Sequence, residues 1–115
     1  MSSPRYRPNS YLVDPRAFGR AGVEWRQLAP EASEGEKDQL GASMKQHAVA
    51  KAVRSAARRK HGSVHEYAQL NEINYQRLSG VLRGDLILRL EDIANAERNL
   101  GLAAEDWAGR QPSHR

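Results

Sequence analysis

The side chains of this 115-residue chain that could do chemistry are mainly cations, amides and hydroxyls. Between Gln39 and His65 there is no acidic residue, while Lys45, Lys51, Arg54, Arg58, Arg59 and Lys60 accumulate. Upstream, Arg5, Arg7, Arg16, Arg20 and Arg26 make residues 1–30 basic. Downstream, Tyr75, Gln76, Arg77, Ser79 and Arg83 follow one another at close spacing. Guanidinium and ammonium groups bind phosphate oxygens, and a side-chain amide can pair with the edge of an adenine. The chemistry on offer is therefore recognition of a polyanion. A charge run is also an ordinary solvated face, and Arg58, Arg59 and Lys60 would complement the C-terminal end of a helix dipole without any ligand.

Catalytic and metal chemistry find less support. Glu91 with Asp92, and Glu105 with Asp106, are adjacent residues that point to different sides of a helix, and neither pair has a histidine nearby. There is no glycine-rich phosphate loop, P-loop lysine pattern or serine elbow. The absence of cysteine excludes a disulfide framework, a Cys-ligated zinc site and a thiol nucleophile. His61 and His65 are four apart, but Gly62 and Ser63 lie between them, so they do not share a helical face as a metal pair would. The expectation is a non-enzyme with no metal site and no cofactor.

These residues need helices to position them. Ser33 with Glu36 fits a capping box, and Ser43 with Gln46 offers a second start, so residues 33–61 read as one bent helix or two. Leu40, Met44, Ala48, Ala52 and Ala56 recur every four residues, with Val49 and Val53 widening the apolar stripe. Ser63 with Glu66 marks the next helix, whose apolar face is expected to hold Tyr67, Ala68 and Leu70. Asn71, Glu72 and Ile73 interrupt the pattern, and Asn74 can cap a further helix. In it Leu78, Val81 and Leu82 face inward, Tyr75, Gln76, Ser79 and Gly80 face outward, Arg77 and Arg83 flank them, and Gly84 stops it. Asp85 is expected to cap a fourth helix whose Leu86, Leu90, Ile93, Ala94, Glu97 and Leu100 share a face, with Gly101 as its stop. A last short turn over Ala103 to Trp107 would place Trp107 as a lid on the core or as a dimer contact.

The arrangement around residues 63–84 resembles the helix-turn-helix of the Cro and phage-repressor (XRE) family of DNA-binding proteins. The resemblance lies in Tyr67 and Ala68 in the first helix, Ile73 in the turn, and the run Leu78-Ser79-Gly80-Val81-Leu82-Arg83-Gly84 in the second; it covers roughly residues 43 to 102. Asn71 and Glu72 stand where that family usually has a turn glycine, and Gly80 replaces a larger residue. The resemblance implies an all-α, lambda-repressor-like bundle of four to five helices. It also implies a transcriptional regulator, a repressor by preference, that occupies double-stranded operator DNA as a homodimer.

On that reading Asn74, Tyr75, Gln76, Arg77, Ser79, Gly80 and Arg83 form the surface that enters a major groove, with Gln76 reading a base edge. Arg58, Arg59, Lys60 and Ser63 would sit by the duplex backbone, and Arg5 with Arg7 could form an arm along phosphates or into a minor groove.

Three segments are expected: an irregular basic extension over residues 1–32, a helix-turn-helix domain over 33–107 and a frayed tail over 108–115. Within the extension, residues 11–13 and 23–28 could be short strands, and Phe18 and Trp25 are expected to pack on the helical core. No apolar run approaches membrane-spanning length and the N-terminus lacks a secretory apolar core, so a cytoplasmic location is the default. The net charge of +4 adds little by itself. A competing expectation is an antitoxin or phage-type adaptor in which the N-terminal extension grips a protein partner.

Overall fold

A computed structural model describes residues 6–107 of the chain. Its helices are α1 (Glu34–His61), α2 (Val64–Leu70), α3 (Tyr75–Arg83) and α4 (Leu90–Leu100), with short 3-10 turns before α1 at Pro8–Tyr11 and Pro15–Ala17 and after α4 at Ala104–Asp106. No β-strand occurs among the described residues, and none of their helices is long and apolar enough to cross a membrane. Arg5 and the tail from residue 108 lie outside the described residues.

The long helix α1 is continuous over 28 residues rather than split in two. Ser33 and Glu36 satisfy each other's backbone N–H groups in a full capping box, and Gly62, at φ 89°, turns the chain out of the helix. Gly35 and Gly41 lie within it, and the packing of its inner face outweighs their cost of about 1 kcal/mol each. That inner face is Ser43, Gln46, His47, Val49, Ala50, Val53, Ala56 and Ala57. Of the stripe expected from sequence, Ala56, Val49 and Val53 join this face, whereas the rest of the fourfold row lies at its edge: Met44 is 44% exposed, and Leu40, Ala48 and Ala52 are half-buried. The small alanines let α2, α3 and α4 cross α1 closely.

The turn between α2 and α3 closes as a Schellman motif, with Ile73 N–H donating to Ala68 O (2.8 Å) and Glu72 N–H donating to Gln69 O (3.3 Å). The left-handed residue is Glu72, at φ 56°, not Asn71, at φ −105°. A non-glycine residue there costs about 1–2 kcal/mol. Leu70, at the end of α2, is 66% exposed and does not join Tyr67 and Ala68 in the core.

The N-terminal segment belongs to the same core as the helices. Leu12 and Phe18 are fully buried against α1 residues, and Trp25 packs at the margin. The two expected strands reduce to a single antiparallel bridge, Leu12 to Trp25, flanked by Val13 N–H to Glu24 O (2.9 Å) and Arg26 N–H to Tyr11 O (2.8 Å). The 3-10 turns on either side of Leu12 end the pairing after one residue. Asn9 reaches across the chain, its Nδ2 donating to Arg83 O (3.0 Å) and to Asp85 Oδ1 (2.9 Å).

Asp85 therefore does not cap a helix. Its carboxylate accepts from Asn9 and Arg83, residues 86–89 carry no regular secondary structure, and α4 begins only at Leu90. Leu86 and Leu90 are exposed, by 45% and 81%, and it is Ala96 with Leu100, flanked by Ile93, that packs α4 inward. Trp107 is half-buried against the core, the lid arrangement.

His47 fastens the N-terminal loop to α1. Gly19 N–H donates to its Nδ1 (2.9 Å), and Phe18 and Trp25 meet the imidazole edge-on. An Nδ1 that accepts a hydrogen bond carries no proton, so the ring is neutral. Burial, with Lys51 nearby, lowers its pKa below the usual histidine value. The unfolded chain then takes up a proton, near pH 6.5, that the folded chain refuses, so stability falls as pH drops through about 6.5 toward the depressed folded value. Chemical denaturation across that interval is expected to show this fall. The His47→Asn variant, which keeps an acceptor but cannot titrate, should be less stable at neutral pH and lack the His47 part of the slope. An equal slope in both proteins would contradict this assignment.

Candidate nucleic-acid interface

The exposed side of α3 is short and mixed in character. Asn74 caps the helix by accepting from Arg77 N–H (3.0 Å), and Gly84, at φ 81°, ends it. Leu78, Val81 and Leu82 are buried, which leaves Tyr75 and Gln76 exposed on the first turn. Tyr75 is 41% exposed and its ring meets His65, from the first turn of α2, edge-on at 4.9 Å. That contact ties the start of α3 to the start of α2. One and two turns further on, half-buried Ser79 accepts a hydrogen bond from Arg83 Nη1, and Arg83 Nε donates to Asp85 Oδ2 (3.1 Å). Asn9, and then Arg83, hold the Asp85 carboxyl below the usual carboxylate range.

Two residues expected on this face are placed elsewhere. Gly80 is buried: a Cβ added there would come within 2.9 Å of Leu86 Cδ1, so the missing side chain lets residues 85–86 fold back on α3. Their N–H groups both donate to Gly80 O, at 2.9 and 3.3 Å. Arg77 turns away from the exposed side and grips Asp92 of α4 with both arms of its guanidinium, one bond being Nη1 to Oδ2 at 3.2 Å. The same carboxylate accepts from Arg89 N–H (2.9 Å) and so starts α4. The hydrogen bond to Asp92 raises the Arg77 pKa further, so the pair stays charged. Asn74 and Ser63 act first as helix caps, Ser63 Oγ accepting from Glu66 N–H (3.0 Å).

The cations lie beside this face. Arg58, Arg59 and Lys60 are exposed on the last turn of α1, where they complement the helix dipole. Arg54, one turn earlier, donates through Nη2 to Leu82 O (3.2 Å) and so touches the end of α3 directly. Burial lowers the Arg54 pKa first, then the like charges of Arg20, Arg83 and Arg58. Arg7 is exposed and borders the same recess as Arg20, Arg54 and Arg83. Sequence reading placed Arg54 in the acid-free run and Arg20 in the basic extension, but not their meeting. Their separation by more than thirty residues hides it.

Behind the surface, Tyr67 supports both short helices. Its ring stacks on His61, its hydroxyl donates to Asn95 Oδ1, and burial, then the Asp92 charge, pushes its pKa up to about 12. Among the described residues no group of three or more histidine and carboxylate side chains converges as a metal site would.

This geometry separates positions that hold the fold from those free to meet a ligand. The Asp92 side chain is only 9% exposed, so Arg77→Ala, which strands that carboxylate, should lower stability by about 2–4 kcal/mol. Gln76→Ala, at the adjacent exposed position, should change it by less than about 0.5 kcal/mol. Equal losses in urea unfolding would mean that the Arg77–Asp92 pair does not carry the α3–α4 junction. Comparisons with protein-family models, curated proteins and solved structures find no match to this chain, so its functional reading rests on the geometry described above.

Proposed function

We propose that this protein binds double-stranded DNA in a sequence-dependent way, laying α3 in the major groove as a transcriptional regulator of the repressor type. The observation that carries the reading is the shared surface of α3 and α1. A short helix is set off from its neighbour by a tight turn, exposes Tyr75 and Gln76 on its first turn, and is flanked by Arg54, Arg58 and Arg83. An α-helix of this length fits the major groove, and cations beside it can neutralise phosphates and release counterions. Gln76 would read the base edge, by preference an adenine through its N6 and N7. Tyr75 and Ser79 would contact neighbouring edges or phosphates.

Arg77 has no base-reading part, because its guanidinium is committed to Asp92. Arg83 would reach a phosphate only by exchanging its bond to Asp85. Arg58, Arg59 and Lys60 would anchor the backbone. One helix of this kind spans only a few base pairs, so a homodimer on a two-fold site is the expected assembly.

The adaptor reading gives the N-terminal extension to a protein partner. Leu12 and Phe18 are fully buried in the chain's own core, and Asn9 is engaged at the end of α3. That segment is thus spent on folding, which favours the DNA reading.

Gln76→Ala is the discriminating variant. Measured by fluorescence anisotropy on a selected duplex and on the same duplex with single base changes, it should lose about 1–3 kcal/mol of discrimination at one base pair. Affinity for random duplex should stay nearly the same. Unchanged discrimination at every position would remove Gln76, and with it the proposed groove face, from the reading.

A further inference from the structure

A cleft beside α1 reaches past the cations already assigned to the duplex backbone, to Arg20 and Lys51, which have had no part so far. It encloses about 520 Å³ between the N-terminal loop and α1 and is lined by Arg20 from the loop and by Lys51, Arg54, Arg58 and Arg59 from the helix, with no carboxylate. A second recess adjoins it. Arg20 and Arg54 border both, and the second continues to Arg7, Arg16 and Arg83. Its one acid, Asp85, is already bound by Asn9 and Arg83. A basic strip therefore runs from the last turns of α1, past Arg54, to the end of α3.

The fold holds this strip in place. Gly19, at φ +78°, lets the loop close on Arg54: a Cβ there would lie 2.7 Å from Leu82 O and 3.0 Å from Arg54 Nε. The Arg54 Nε is shielded from solvent and has no acceptor among the described residues, while its Nη2 is anchored on Leu82 O. Arg20, Arg58 and Arg83 crowd the same guanidinium with like charge. Such an arrangement repels itself, and an oxyanion seated among the cations relieves the repulsion.

We propose that this cleft seats backbone phosphates of the DNA duplex on which α3 docks, so that the outer face of α1 and the N-terminal loop lengthen the contact beyond the helix-turn-helix. The inference rests on the DNA reading of α3. The ligand chemistry is the phosphate oxyanion, which a free polyphosphate would share. The duplex is favoured because the strip is continuous with Arg83 on α3.

The test uses the full chain, wild type against the double variant Arg20→Gln, Lys51→Gln. Both side chains are exposed, and thermal unfolding checks that the fold is kept. Binding to a random-sequence duplex is followed as a function of salt, with Gln76→Ala in parallel. The double variant should bind roughly tenfold more weakly at low salt, equally for every sequence, and its slope of log affinity against log salt should fall by about 2. Gln76→Ala should keep the wild-type slope. If wild type binds duplex and the double variant matches it in slope and affinity, the cleft inference is overturned and the α3 reading survives. If wild type binds no duplex, both fall. Titration with inorganic pyrophosphate separates the two sources: saturation that the double variant abolishes, without duplex binding by wild type, would make the cleft a free-anion site and overturn the proposal as stated.

Discussion

Gln46, buried midway along α1, spends its whole side-chain amide on the main chain of another part of the molecule. Its Nε2 donates to Val81 O (2.9 Å) and Leu86 O (2.8 Å), and its Oε1 accepts from Leu88 N–H (2.9 Å). The carbonyl of Val81 lies in the last turn of α3, where helix geometry leaves carbonyls without intrahelical partners. Leu86 and Leu88 lie in the irregular segment that follows. One side chain thus fixes the end of α3 and the path of residues 85–89, and with them the delayed start of α4. Removing it would leave Leu86 O and Leu88 N–H to find other partners, each at the cost of desolvation, and would leave Val81 O with the Gly84 N–H alone (3.1 Å). Asn9 fixes the other side of the same corner through Arg83 O and Asp85.

That corner explains how a short helix with few apolar side chains can present a defined surface. α3 has only Leu78, Val81 and Leu82 with which to pack. Its remaining constraints are polar and come from elsewhere: Asn74 at its start, Gln46 and Asn9 at its end, Arg54 on Leu82 O, and Arg77 on Asp92. The residues left over, Tyr75 and Gln76 above all, are those a partner could meet. A rigid frame with a small free face suits recognition, since little side-chain order remains to be lost on binding. The same polar constraints bring Arg54, Arg20 and Arg83 together, so the charge pattern beside α3 follows from the packing that holds it.

The parts of this fold written in local sequence were readable in advance. The Ser33–Glu36 box, the Asn74 cap and the stops at Gly84 and Gly101 each depend on residues within a turn or two, and each falls where the spacing placed it. Burial along α1 was less legible. Its inner face includes Ser43, Gln46 and His47, polar residues that a hydrophobic count assigns to solvent and that distant partners draw inward. Gln46 had suggested a capping role, and only its contacts far along the chain reveal a clamp. Arg77 and Asp92 were hidden likewise, because fifteen residues and a loop separate them and no helical spacing links them. The candidate face was therefore half legible: Tyr75, Gln76 and Arg83 are exposed as expected, whereas Gly80 and Arg77 serve the fold.

The central claim is that this surface prefers particular duplex sequences. Selection of wild-type protein against a random duplex pool, with the salt dependence of binding measured on the enriched sequence, tests it most directly. The account predicts a two-fold symmetric enriched site and an affinity that falls steeply with salt. Recovery of an unenriched pool, or binding indifferent to salt, would contradict it.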